Sequence, residues 1–203
     1  MVDAQGHRKI LIIAVIFLAA VLAVPGVPSV AQTRGGELRL GLQSEPLGLD
    51  PHLDTNKTSI NYIEHLYSGL VQLDAKLNPV PDLATAWKQH NPTTYEFTLR
   101  RGVKFHSGRE LTSEDVKYTF QRAVDPTVKS AKADYFRPIK EIQTPDPYTV
   151  RIILAQPFAP FLTYLAMPGT AGIVAKETVE RHGNLKRVAN GTGPFMFEEW
   201  APG

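Results

Sequence analysis

The chain has 203 residues, with 22 basic against 20 acidic side chains and no cysteine. This even balance excludes the dense basic face that a nucleic-acid partner requires. The missing thiol excludes a disulfide scaffold and argues against a cysteine-linked lipid anchor, so stability has to come from an apolar core.

Arg8 and Lys9 precede a fifteen-residue apolar run, Ile10 to Val24, which Pro25, Gly26 and Pro28 terminate before Ser29-Val30-Ala31. A basic start, an apolar stretch and small residues at the minus-three and minus-one positions predict a secretory signal peptide cleaved after Ala31. The apolar run is shorter than the ~20 residues that span a bilayer. Cleavage leaves 172 residues with 20 basic and 19 acidic side chains. That length suffices for one domain burying about 70% of its unfolded surface.

Leu38, Leu40 and Leu42 alternate along Glu37–Leu42 and predict a first strand. Gln43 to Pro51 reads as a loop, in which Pro51 keeps Asp50 out of the helical region. A helix is expected from about Thr58 to Tyr67, a strand over Gly69–Leu73 and a turn over Asp74–Asn78. Leu83 to Trp87 suggests a short helical turn with Trp87 in the core. Tyr95, Phe97 and Leu99 alternate with Glu96, Thr98 and Arg100 as in a half-buried strand. Gly102 and Ser107-Gly108 then break the chain around Val103-Lys104-Phe105. Thr112, with Asp115 three residues on, opens a helix over Glu114–Ala123 in capping-box fashion. Asp125 to Asp134 is polar and loop-like. Ile139–Ile142 and Tyr148–Leu154 flank Thr144-Pro145-Asp146-Pro147 and read as a hairpin. Short helices follow at Phe161–Leu165 and Lys176–His182, the second stopped by Gly183. Phe195–Trp200 closes as a last strand. The sum is a mixed α/β (α+β) domain.

The segment YEFTLRRGVKFHSGRELTSEDVKYTF, from Tyr95 to Phe120, resembles the extracellular solute-binding proteins of family 5. These are the peptide-, nickel- and opine-binding receptors of bacterial ABC importers, which typically write it LRKGVKFHDGTPLTAEDVVYTF. Leu49-Asp50-Pro51, the passage GLVQLDAKLNPVPDLATAW and the closing GTGPFMFEEWAPG resemble the family as well, so the likeness runs from about Gly36 to Gly203. It implies lobe one of a two-lobed periplasmic-binding-protein-like fold: a first strand and following loop (32–53), an inserted subdomain (54–180), and a return to the lobe core (181–203). GTGPFMFEEWAPG falls mid-chain in the family, which implies a fragment or a truncated frame that stops before lobe two. The implied activity is capture of short peptides or a similar small solute, and delivery to an ABC permease in the inner membrane by a periplasmic protein that is monomeric when full length.

No HExxH, GxSxG, P-loop or GxGxxG motif occurs, so neither an enzyme nor a cofactor is expected. His52 with Asp54, or His106 with Glu110, offers two ligands each, short of the three or four a metal needs. Glu110, Glu114 and Asp115 could pose as paired catalytic carboxylates of an exported hydrolase, but two of them lie in a helix first turn, where they offset the macrodipole. A non-transporting, chaperone-like half-receptor is the other alternative. Tyr95, Phe97, Phe105 and Phe120 sit at core spacing, whereas Tyr135-Phe136 has no clear period and suits an exposed contact. A receptor for varied peptides must grip what all peptides share, their backbone amides and carbonyls. In peptide-binding relatives the extended residues after the LDP turn do this, which implies Asp54, Thr55 and Asn56 here. A tyrosine of the inserted subdomain also reaches the ligand in relatives, and Tyr135 is its best match. Pro168-Gly169-Thr170 and Gly191-Thr192-Gly193 could approach a ligand closely or simply turn the chain.

Overall fold

Alternating apolar residues on two neighbouring segments build the centre of the molecule. The computed structural model describes residues 36, 39–42, 44–167 and 169–201, so the predicted signal peptide lies outside the described residues. Every helix and strand among them belongs to the compact unit Gly41–Gly203. Helix α1 (Lys57–Leu66) leads into a small hairpin, β1 (Val71–Leu73) with β2 (Pro79–Pro81). The main sheet follows: β3 (Ala84–Asn91), β4 (Thr94–Leu99), β5 (Ile139–Asp146) and β6 (Thr149–Leu154), antiparallel throughout in the order β3-β4-β6-β5. Between its halves come α2 (Ser113–Val124) and the single turn α3 (Ala133–Phe136); after it come α4 (Phe161–Leu165) and α5 (Lys176–His182).

The register sets Tyr95 opposite Ile152 and Phe97 opposite Val150, so the inward residues of β4 and β6 form one apolar face. Val116, Phe120 and Ala123 of α2 share the core with that face, together with Phe105, Leu111, Phe136 and Phe161. Each such large side chain, fully buried, contributes about 1.5–3 kcal/mol. The outward residues of the same strands are polar, and Arg151 there donates to Glu96 at 2.6 and 3.0 Å. A second cluster gathers Leu49, Ile63, Leu66, Tyr67, Val174, Val179 and Leu185, with Tyr118 of α2 packed against it. Helix α2 is therefore the spine between two cores.

Helix α2 begins as the sequence implies, with the capping box of Thr112 and Asp115 in place. Asp115 Oδ2 accepts from the Thr112 amide at 2.9 Å and from its hydroxyl at 3.3 Å. Gly183 stops α5 at φ 75°, a left-handed value that glycine adopts freely.

Three expected elements differ. Ala84–Asn91 is a strand, where a helical turn was expected over Leu83–Trp87. A shift in pairing between Ala84 and Ala86 breaks the alternation and hides the strand in the sequence. Trp87 is only half-buried at the rim of the main core. Phe195–Trp200 forms no strand, because the Gly193 and Phe195 amides donate instead to the Leu66 and His65 carbonyls at the end of α1. Arg39–Leu42 likewise lies in no strand, and Leu40 and Leu42 are exposed. An alternating run becomes a strand only where a neighbour takes its hydrogen bonds, and no described strand does. Glu37 and Leu38 of that run lie outside the described residues. The hairpin turn is also tighter than expected, at Pro147-Tyr148.

Candidate functional site

The Leu49-Asp50-Pro51 motif is fixed from beneath by α2. Arg122 donates to both Asp50 oxygens, at 2.6 and 3.0 Å, across 72 residues of sequence. Asp50 also accepts from the His52 and Leu185 amides, each at 3.0 Å. Asp50 is fully buried, and burial alone would push its carboxyl up; the Arg122 guanidinium outweighs burial and holds it below the ordinary range. His52 is buried beside the same guanidinium and is pulled down to about 3, by burial first and Arg122 second. It is therefore neutral. Because Arg122 can only donate, His52 Nδ1 accepts its hydrogen bond at 2.7 Å and the proton sits on Nε2. That Nε2–H is buried without a partner.

This anchor presents the next residues. Asp54 is buried, and its Oδ2 lies so near Gly48 that a Cβ there would come within 2.6 Å. Thr55 is exposed. Asn56 caps α1, its Oδ1 accepting from the Thr58 and Ser59 amides at 2.9 and 3.3 Å. The 130–135 segment is tied to the same loop: Ala131 N and Ser130 Oγ both donate to the His52 carbonyl, at 3.1 and 2.9 Å. Tyr135 follows half-buried, its ring edge-on to Tyr164 at 5.0 Å, with Phe158 beyond at 5.4 Å. The four residues singled out in the sequence thus lie on two segments that the fold joins. Of the four, only Thr55 has an exposed side chain that takes no part in the hydrogen bonding of loop and helix.

The other candidates are absorbed by structure. His106 Nε2 donates to the Gly193 carbonyl at 3.0 Å, and its amide to the Gly191 carbonyl at 2.9 Å. Ser107 N donates to Asn190 Oδ1 at 3.0 Å, so the two most recognisable phrases of the sequence clasp each other. The glycines there are needed for close approach: a Cβ on Gly191 would lie 2.0 Å from the Leu66 oxygen, and one on Gly193 2.4 Å from the His65 oxygen. Glu110 accepts from Gly102 N and Tyr148 Oη at 2.8 and 2.9 Å. Asp115 receives Arg109, which also bridges to Glu177 on α5. Glu114 accepts from the Thr144 hydroxyl. Among the described residues no three histidines or carboxylates are grouped to hold a metal. No described helix is long and apolar enough to cross a membrane. A separate cavity of about 370 Å³ opens beside Ile63, Tyr67, Gly69, Asp82 and Met167, where burial pushes the Asp82 carboxyl up.

Residues 78–203 match the family described as bacterial extracellular solute-binding proteins, family 5 Middle. The chain belongs to family 5 of the bacterial extracellular solute-binding proteins. It is 33% identical over 154 residues to the glutathione-binding protein GsiB of Salmonella choleraesuis strain SC-B67, covering 75% of this chain and 30% of that one. It is 33% identical over 200 residues to the "Probable D,D-dipeptide-binding periplasmic protein DdpA" of Escherichia coli K12, covering 92% and 38%. Among solved structures, AgaA of A. tumefacien R10 in complex with agropinic acid superimposes with a TM-score of 0.72 at 30% identity, over 77% of this chain and 32% of that one. OppA of Burkholderia pseudomallei gives 0.71 at 27%, over 79% and 35%. The chain thus spans about a third of the length of the relatives it matches.

In this chain the LDP motif is a buried ion-pair socket, Asp50 with Arg122, directly ahead of the 52–56 loop. Sequence reasoning marked Asp50 only as part of the LDP turn and missed both its burial and its partner Arg122. The signal was present: Asp115, Thr119 and Arg122 fall at helical spacing on one side of α2, and all three are buried. Lys132 was missed too, since a lysine in a polar stretch reads as solvated.

Proposed function

We propose that this chain is lobe one of a periplasmic receptor that captures short peptides, or a similar small peptide-like solute, for an ABC permease in the inner membrane. The observation that carries this is the loop His52–Asn56, anchored at one end by the buried Asp50–Arg122 pair and at the other by the Asn56 cap, with Thr55 left open between them. Such a loop offers fixed backbone groups to an extended ligand, which suits a receptor tolerant of side chains. Asp54, Thr55, Asn56 and Tyr135 are the ligand-facing residues on this reading. The names of the relatives agree in class, with glutathione, a D,D-dipeptide and agropinic acid all small and peptide-like or amino-acid-derived. In the complete protein a second lobe closes over the solute by hinge motion. The precursor is exported and cleaved after Ala31, residues 54–180 form the inserted subdomain, and the full-length receptor is monomeric.

Calorimetric titration of the complete gene product with alanine di-, tri- and tetrapeptides tests the reading. Saturable one-to-one binding is expected for at least one length, weakened at least about tenfold, or ~1.4 kcal/mol, by Thr55→Pro, which removes a backbone donor. Absence of binding to every length, or binding indifferent to Thr55→Pro, refutes it.

A further inference from the structure

Among the described residues one buried cation makes no direct hydrogen bond or ion pair through its charge, and it stands beside the proposed ligand loop. Lys132 closes the polar stretch before α3 and is only 6% exposed. Its backbone is fully engaged: the amide donates to Ser130 Oγ, and the carbonyl accepts from Tyr135 N. Among the described residues nothing accepts a hydrogen bond from its ammonium, and no carboxylate forms an ion pair with it. The sealed polar atoms without partners among the described residues are His52 Nε2, Tyr67 Oη, His106 Nδ1, Arg122 Nε and Thr192 Oγ1. The lysine ammonium is not one of them, so its stem is covered while its charge still meets water. Burial lowers its proton affinity, and Asp54, the nearby opposing charge, offsets this only in part.

The surroundings define what would complete it. His52 feels the same ammonium and carries its own orphaned donor. The Ser130 and Ala131 bonds to the His52 carbonyl lock Lys132 to the segment that presents Thr55. Two donors here go unanswered by the fold, the Lys132 ammonium and the His52 Nε2–H. Asp54 receives only a long bond from the Asn56 amide, at 3.4 Å, and gives none to the lysine. A carboxylate supplies acceptor oxygens and the balancing charge together, and its bond to an ammonium is of the strong, charge-assisted kind. A neutral carbonyl would add nothing to the balance that Asp54 supplies only in part, and a second ammonium would be repelled.

We propose that Lys132 anchors a carboxylate of the bound solute at the His52–Asn56 loop, which makes the ligand class anionic at that end. This rests on the receptor reading above and adds the ligand's chemistry to it.

The test is calorimetric titration of the complete gene product with tri-alanine as the free acid and as its C-terminal amide, in wild type, Lys132→Met and Lys132→Arg. Wild type is expected to prefer the acid by about tenfold or more, as a charge-assisted hydrogen bond implies. Lys132→Met should bring the ratio to near one by weakening the acid alone, and Lys132→Arg should keep the preference. Equal binding of acid and amide by wild type overturns the anchor while leaving the receptor reading standing, and needs no variant. A ratio unchanged in Lys132→Met, or equal losses for both probes, also overturns it, because a purely structural lysine cannot discriminate the two ends. If another alanine length binds best, the acid and amide are compared at that length; failure of wild type to bind any length in either form removes the peptide reading, and the anchor with it.

Discussion

Replacing Arg122 with methionine should cost this domain more than any surface change, and should reverse its response to acid. In the native protein Asp50 has no solvent contact and relies on two guanidinium bonds, with amide bonds from His52 and Leu185 besides. Removing one partner of a buried pair costs about 3–5 kcal/mol, because the remaining charge stays buried and uncompensated. At ~2–4 °C per kcal/mol for a domain of this size, the midpoint should fall by about 6–20 °C. The pH dependence follows from the direction of the Asp50 shift. In wild type the folded carboxyl lies below its unfolded value of about 3.9, so its contribution is full above that pH and is lost as pH falls through the folded value. Without Arg122, burial dominates and lifts the folded carboxyl above 3.9. The variant is then favoured by acid, and its deficit relative to wild type shrinks as pH drops from 7 towards 4. Urea unfolding followed by circular dichroism across that range measures both effects. Asp50→Asn combined with Arg122→Met should recover at least about 1 kcal/mol relative to additivity. A single-variant loss below about 1 kcal/mol, or a deficit that does not shrink with acid, refutes the socket as described.

Two further outcomes follow from the same contacts. Gly191→Ala places a methyl 2.0 Å from the Leu66 carbonyl oxygen and should destabilise by about 3 kcal/mol, whereas Gly108→Ala, with nothing near its Cβ position, should lose only what its φ of 91° costs; matched urea curves compare them. Asn56→Ala removes the acceptor for two first-turn amides of α1 and should cost about 1 kcal/mol, with Asn56→Asp retaining most of the stability.

The elements readable in the sequence were those whose information is local. The periodicity of α1 and α2, the alternation in β4 and β6, and the glycine that stops α5 each lie within a dozen residues, and each is found where expected. Ala84–Asn91 was not readable, since its bulge interrupts the alternation and its alanines favour a helix in isolation. The outermost segments misled for the opposite reason: Leu40 and Leu42 alternate correctly but have no described strand beside them. The site was legible only by resemblance. Arg122 meets Asp50 across 72 residues and Asn190 meets Ser107 across 83, separations that no local pattern encodes. Lys132 looked solvated because burial of a single cation depends on the loop packed over it.

Hydrogen exchange of the complete gene product, with and without a saturating tripeptide, tests the central claim, the proposed receptor loop, most directly. The account predicts that ligand slows exchange at Thr55 and its neighbours in 52–56 and in 130–135, while the clasp of His106 with Gly193 is unchanged. Saturation with no added protection in those two segments, and protection appearing instead around Gly69 and Met167 at the separate cavity, would contradict it.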